Sequence, residues 1–218
     1  MLPILQHLIM AKKKVKNILF DLGGVLFHID YQRTIDAFKS LGEADFERLF
    51  TQHQQNSLFD SFETGKISSK KFIETLQLSL PNCRNEIIVK AWNAMLLGLP
   101  AKHLLLLEEL SKKYRLFLLS NANKIHINFV NNHLSQKHNI ESIDGYFEKA
   151  YYSHLIGMRK PHPSTFRWVL NDAGIKAGET IFIEDTRQHI EGAKEAGLQT
   201  LHVKSNADLF TFFPDIVR

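Results

Sequence analysis

Asn17-Ile18-Leu19-Phe20-Asp21-Leu22-Gly23-Gly24-Val25 decides how the rest of the chain is read. Ile18, Leu19 and Phe20 form a continuous apolar run, the pattern of a strand buried on both faces. The run stops at a carboxylate, and two glycines then break it sharply. Two later stretches repeat the arrangement. Leu116-Phe117-Leu118-Leu119 runs into Ser120-Asn121, and Thr180-Ile181-Phe182-Ile183 runs into Glu184-Asp185. A basic piece, Arg159-Lys160-Pro161, lies between those two in the chain. In an open parallel sheet, functional groups gather outside the carboxyl ends of the strands. Pieces spread from residue 21 to residue 185 are therefore expected to converge.

The segments between them assign the architecture. Strand 16–20 is followed by a second short apolar stretch, Val25 to Ile29. Over 31–95 the period changes: Ile35 and Phe38, Phe46, Leu49 and Phe50, Phe72, Ile73 and Leu76, then Ile87, Ile88, Ala91 and Met95. Apolar residues three and four apart mark amphipathic helices. Gly42, Thr64-Gly65-Lys66 and Pro81-Asn82 separate them, and Ser68 or Ser69 can cap the helix that holds Phe72. No strand is expected in this segment. Afterwards the pattern alternates: helix 101–113, strand 115–119, helix 124–134, strand 148–152, helix 164–173, strand 180–184, helix 187–196 and strand 199–203. Such alternation implies βαβ units on a parallel sheet. The fold class is α/β, a doubly wound, Rossmann-like parallel sheet core with an inserted small α-helical cap. The core comprises 16–30 and 99–218, the cap 31–98, and residues 1–15 form an N-terminal extension.

Composition narrows the partners. The chain has 218 residues, 44% of them apolar and 23% charged, enough for one core domain and a modest insertion. The net charge of +4 comes from basic residues scattered along the chain, so no nucleic-acid partner is expected. The single cysteine, Cys83, allows no internal disulfide and no cysteine metal site, consistent with a cytoplasmic protein. Leu2 to Met10 is a short apolar run followed by Lys12-Lys13-Lys14. That reverses the order of charge and apolar run in a secretory signal, and the run is too short to span a bilayer. No membrane partner is expected. The run reads as a loosely docked extension, with Met10 an alternative start.

Each functional piece has an ordinary reading beside the chemical one. Asp21 before two glycines is a common turn aspartate. At a strand end beside glycine amides, it is also a nucleophile that can attack phosphorus and form an aspartyl phosphate. Ser120 and Asn121 suit a helix N-cap, and equally a hydroxyl and backbone N–H that hold a phosphate oxygen. Lys160, kept extended by Pro161, is either a solvated loop cation or a group that neutralises a transferring phosphoryl. Glu184 and Asp185 are two acids at one strand end, costly unless a cation holds them. Oxygen ligands of this kind suit Mg²⁺.

In order and spacing the four pieces resemble the motifs of the haloacid dehalogenase superfamily of aspartate-nucleophile hydrolases, and the helical insertion resembles its small cap after the first motif. Phe27-His28-Ile29-Asp30-Tyr31-Gln32-Arg33, Glu63-Thr64-Gly65-Lys66-Ile67-Ser68, Gly157-Met158-Arg159-Lys160-Pro161 and Ile190-Glu191-Gly192-Ala193 look most like one branch. That branch holds the bacterial alpha-D-glucose-1-phosphate phosphatases and relatives of the N-terminal phosphatase domain of soluble epoxide hydrolase. The resemblance implies Asp21 as nucleophile and Lys160 as the catalytic cation. Leu22, Gly23, Ser120 and Asn121 would bind the phosphate of a small phosphorylated metabolite. Mg²⁺ would be held by Asp21, Asp185, the Gly23 carbonyl and Glu184.

One position departs from that pattern. The family's phosphatases usually carry a second aspartate two residues after the nucleophile, where this chain has Gly23. A general acid there contributes about 10²–10⁴-fold. Its loss favours a good leaving group, hence a sugar 1-phosphate over a primary 6-phosphate, and slows attack of water unless His28 or a cap residue substitutes as base. It also keeps two other readings open: a metal-free hydrolytic dehalogenase, and a non-catalytic module that binds a phosphorylated ligand or partner. Reversible phosphoryl transfer, as in a mutase, is the least favoured. Phe59, Phe62 and Trp92 read as helical core rather than pocket wall.

Overall fold

The computed structural model describes residues 15–49, 57–204 and 208–213. The extension up to residue 14 and the expected helical position Phe50 lie outside the described residues. Five parallel strands form the central sheet: β1 (Asn17–Phe20), β4 (Arg115–Ser120), β5 (Lys149–Tyr152), β6 (Thr180–Glu184) and β7 (Gln199–His202), in the order β5-β4-β1-β6-β7. Alternation within the strands explains why both faces are buried. Ile18, Phe20, Leu116, Leu118, Ile181 and Ile183 pack into one apolar layer. Leu19, Phe117, Leu119 and Phe182, the residues between them, pack into the other. Helices α6 (Ala101–Ser111) and α7 (Lys124–His138) cover the first face, through Leu107, Leu110, Val130 and Leu134. Helices α9 (Pro163–Asp172) and α10 (Arg187–Glu195) cover the second, through Phe166, Val169 and Ala193. This is the doubly wound sheet expected.

The cap contains α1 (Tyr31–Ser40), α2 (Phe46–Leu49), α3 (Ser57–Glu63), α4 (Ser69–Gln77) and α5 (Asn85–Asn93). Asp30 caps α1 by accepting the Gln32 N–H, and Ser68 caps α4 by accepting the Lys71 N–H. Stacked rings fill its interior. Phe38 and Phe46 lie 3.9 Å apart, Phe62 and Phe72 4.1 Å, and Phe59 and Trp92 5.4 Å. The expectation that Phe59, Phe62 and Trp92 are core is met, since all three are at most 2% exposed.

The helical reading of 31–98 fails at its end. Leu96–Gly98 is a strand, β3, paired antiparallel with β2 (His28–Ile29). A three-residue strand against a two-residue one is too short for alternation to register. The ribbon carries the chain from core to cap and back. Among the described residues, no helix is long and apolar enough to cross a membrane.

Candidate active site

β1 is the middle strand, flanked by β4 and β6, so its carboxyl end opens between two neighbours whose chains leave in different directions. Asp21 follows that end directly, and its N–H donates to the Ile183 carbonyl at 3.0 Å. Ser120 ends β4 and Glu184 ends β6. Asp21, Leu22, Gly23, Ser120, Asn121, Lys160 and Asp185 all line one pocket of ≈ 730 Å³, its open mouth included. The sequence-distant pieces therefore meet as expected, with Glu184 behind the pocket wall.

Lys160 is the pivot. It is 0% exposed, and its Nζ lies 2.8 Å from Asp21 Oδ1 and 2.7 Å from Glu184 Oε2. The Leu22 N–H also donates to Asp21 Oδ1, at 2.7 Å. Both donors converge on one carboxylate oxygen. The Asn121 carboxamide grips the Lys160 backbone from both sides: Nδ2 donates to its carbonyl and Oδ1 accepts its N–H, each at 2.9 Å. Asn121, expected beside Ser120 to offer a backbone N–H to phosphate, lines the pocket, and its side chain holds the Lys160 backbone in place.

Glu184, expected beside the metal, lies with Asp21 and His189 in a group whose ligand atoms are all within 4.8 Å of one another, and protein donors also hold it. Oε1 accepts the N–H groups of Asp185 and Thr186, each at 3.1 Å, while Oε2 takes Lys160 and, at 3.0 Å, His189 Nδ1. Four donors approach its two oxygens, so it anchors Lys160. Burial works against its charge, yet Lys160 and then His189 hold its carboxyl well below the usual range. Burial likewise opposes the Lys160 ammonium, but Asp21 and Glu184 keep it above its ordinary value. Asp21 goes the other way. Burial, then the charge of Glu184, push it well above the carboxylate range despite Lys160. Glu184 and Lys160 are thus the settled ion pair, and Asp21 is the acid whose charge the site opposes. Asp185 meets the same opposition: burial and the neighbouring Glu184 raise it to about 7.

The acids outnumber the fixed cation. Asp21, Glu184 and Asp185 face one ammonium, and His189, disfavoured as a cation by burial and then by Lys160, adds no reliable charge. A divalent cation fits this surplus, with Asp21, Asp185 and the Gly23 carbonyl as oxygen ligands of the type Mg²⁺ takes. Gly24 makes the arrangement possible. Its φ is +80°, and a Cβ there would overlap the Asp185 carboxylate. Only glycine adopts that conformation freely and allows such an approach.

Several pocket residues escaped the sequence reading. His189 stands in the first turn of α10, five residues beyond Glu184; an imidazole that soon after a strand end was the available signal. His126 lies on the opposite wall, stacked on Trp92 at 4.8 Å. Burial drives it down to about 4 although its Nε2 donates to the Trp92 carbonyl at 3.2 Å, so it is neutral at physiological pH. Tyr31 and Glu63 enter from the cap, and Arg159 from the loop before Lys160. His28, one of the two alternatives for a substitute base, is elsewhere. It lines a separate cleft with Gly98, Leu99 and His133, and its ring sits 5.6 Å from that of His103. Its place in β2, where side chains alternate faces, turns it away from the pocket.

A family model of haloacid dehalogenase-like hydrolases matches residues 15–197, and the chain belongs to that family of hydrolases. It is 30% identical over 197 residues to the D-ribitol-5-phosphate phosphatase of Bacteroides thetaiotaomicron, covering 89% of this chain and 94% of the relative. A haloacid dehalogenase family enzyme of the same organism, solved with magnesium and inorganic phosphate, superposes with a TM-score of 0.80 at 35% identity, over 88% of this chain and 95% of that one. The L-2-haloacid dehalogenase of Xanthobacter autotrophicus, 19% identical with a TM-score of 0.58 over 87% and 77% of the two chains, shares the fold alone.

Proposed function

We propose that this hydrolase is a Mg²⁺-dependent phosphatase of a small phosphorylated metabolite, acting through an aspartyl phosphate on Asp21. The observation that carries the reading is the negative surplus around Lys160, which calls for a divalent cation at the nucleophile. With Oδ1 of Asp21 held by Lys160 and the Leu22 N–H, Oδ2 is the attacking atom. The new Oδ2–P bond forms as the ester P–O bond breaks, and the leaving oxygen takes its electron pair. Water then attacks the phosphoryl group as the Oδ2–P bond breaks, returning the carboxylate and releasing phosphate, and the proton it gives up to solvent balances the one the leaving oxygen takes from solvent. Lys160, the Ser120 hydroxyl and the loop amides stabilise charge on the equatorial oxygens. Bound Mg²⁺ would supply further charge stabilisation for the phosphoryl oxygens.

The relative named for D-ribitol 5-phosphate supports a polyol or sugar phosphate with a primary ester. That weighs against the sugar 1-phosphate preference inferred from Gly23, and the glucose-1-phosphate branch gains no support. We therefore expect a pentitol 5-phosphate to be hydrolysed at least as well as a hexose 1-phosphate, by kcat/KM. A clear excess for the 1-phosphate would reinstate the leaving-group argument. The dehalogenase reading is set aside because a metal-free site gains nothing from surplus acids.

Removing metal tests the core of the proposal. Excess chelator should abolish hydrolysis and lower the thermal midpoint, because the buried carboxylates lose their counter-charge. Mg²⁺ should restore both. Full turnover in chelator would refute the metal requirement.

A further inference from the structure

An ion-pair cluster crosses from the cap to the residue before the catalytic lysine. Arg159 Nη1 donates to Asp60 Oδ1 at 3.1 Å, and Nη2 lies 3.2 Å from Glu63 Oε2. Both acids belong to cap helix α3. The Arg159 and Glu63 side chains are 19% and 11% exposed. The pair is therefore shielded from the screening that makes exposed ion pairs nearly worthless. Glu63 and Arg159 also line the catalytic pocket.

The same stretch of backbone is tied on its other sides to the core. The Arg159 carbonyl accepts the Thr165 hydroxyl at 2.8 Å. One residue later, Asn121 grips both backbone groups of Lys160, and the Lys160 ammonium joins Asp21 to Glu184. Two consecutive side chains thus point to different bodies, Arg159 to the cap and Lys160 to the nucleophile. A second contact marks the same junction. The cap turn after α3 passes so close to the His154 carbonyl in α8 (Ser153–Ile156) that a Cβ at Gly65 would overlap it, and Gly65 has φ +70°. The cap rests on the core here, remote in sequence from the β2–β3 ribbon.

The geometry points to Arg159 as a positioning residue, through which the closed cap sets the place of the Lys160 ammonium. This rests on the phosphatase reading. Seating α3 on the core brings Asp60 and Glu63 to the guanidinium, and the peptide they steady is the one that carries Lys160. Closure and alignment of the catalytic cation then become one event. A brace that served stability alone would leave kcat tied to folding.

Steady-state hydrolysis of p-nitrophenyl phosphate with Mg²⁺, thermal midpoints and amide hydrogen exchange test this. Arg159→Met should lower kcat by about tenfold or more, since small misplacements at a reacting centre are costly. KM should move less than about threefold, and the fold should survive at the assay temperature. Arg159→Lys should recover part of kcat, and Glu63→Gln should lose less than Arg159→Met. The double variant Arg159→Met/Glu63→Gln should be no worse than Arg159→Met, because coupled partners are not additive. Exchange in Arg159→Met should rise in 57–65 and 157–163 together. The proposal is overturned if kcat stays within about twofold of the parent, if the two losses add, or if exchange rises in the cap segment alone. If the parent protein hydrolyses no phosphate ester, the phosphatase reading falls separately, and the paired exchange response decides whether cap and lysine loop are coupled.

Discussion

Asp21→Asn is expected to reduce phosphatase turnover by at least about 10³-fold, because the amide cannot form the covalent phosphoryl intermediate. The fold should not suffer. In the metal-free protein Asp21 is the carboxylate whose charge the site resists, through burial and then Glu184. Lys160 keeps its second partner, Glu184, at 2.7 Å. Removing the surplus charge should leave the thermal midpoint unchanged or slightly raised, the pattern of a site whose function costs stability. Near-parental turnover, with mass spectrometry still showing a phosphorylated enzyme, would move the nucleophile to another residue.

Lys160→Met should be damaging in both respects. Methionine matches much of the lysine stem, so packing is nearly preserved. The ammonium between Asp21 and Glu184 is lost, and Glu184, itself 0% exposed, is left with a charge that only its weaker donors oppose. Breaking a buried pair on one side typically costs about 3–5 kcal/mol. Denaturant unfolding should show a loss of that order, and hydrolysis should fall by orders of magnitude. A variant with normal stability would mean that Glu184 is held by its two backbone amides and His189 alone.

The sheet was legible because its strands are continuous apolar runs that stop abruptly. Ile18 to Phe20, Leu116 to Leu119 and Ile181 to Ile183 each end at a group with chemistry, and parallel packing brings those ends together. Two glycines sit where the backbone demands them: a Cβ at Gly192 would overlap the Pro161 carbonyl, and Gly197, with φ +88°, follows the end of α10. The limits lay in partnership. Asn121 and Glu184 have the residue types of substrate and metal ligands, and their side chains also hold Lys160. Residue type reports what a group can bind and not which partner claims it. The cap's contribution was hidden for a related reason. Tyr31 and Glu63 reach the pocket only through the packing of helices around Phe59, Phe72 and Trp92. β3 was too brief to have a period.

The β2–β3 ribbon has a consequence for how this molecule can change. Ile29 pairs with Leu96, and the Asp30 N–H donates to the Met95 carbonyl at 2.9 Å. The chain from Tyr31 to Ala94 therefore leaves and re-enters the core through this short ribbon. To the sheet it makes little difference whether a helical bundle or a tight turn joins those two ends, since closure entropy grows only slowly with the length of a loop. The insertion is in effect a detachable head on a two-stranded neck. Its size and lining can be exchanged while the strand order beneath, and with it the meeting of Asp21, Lys160 and Asp185, stays in place.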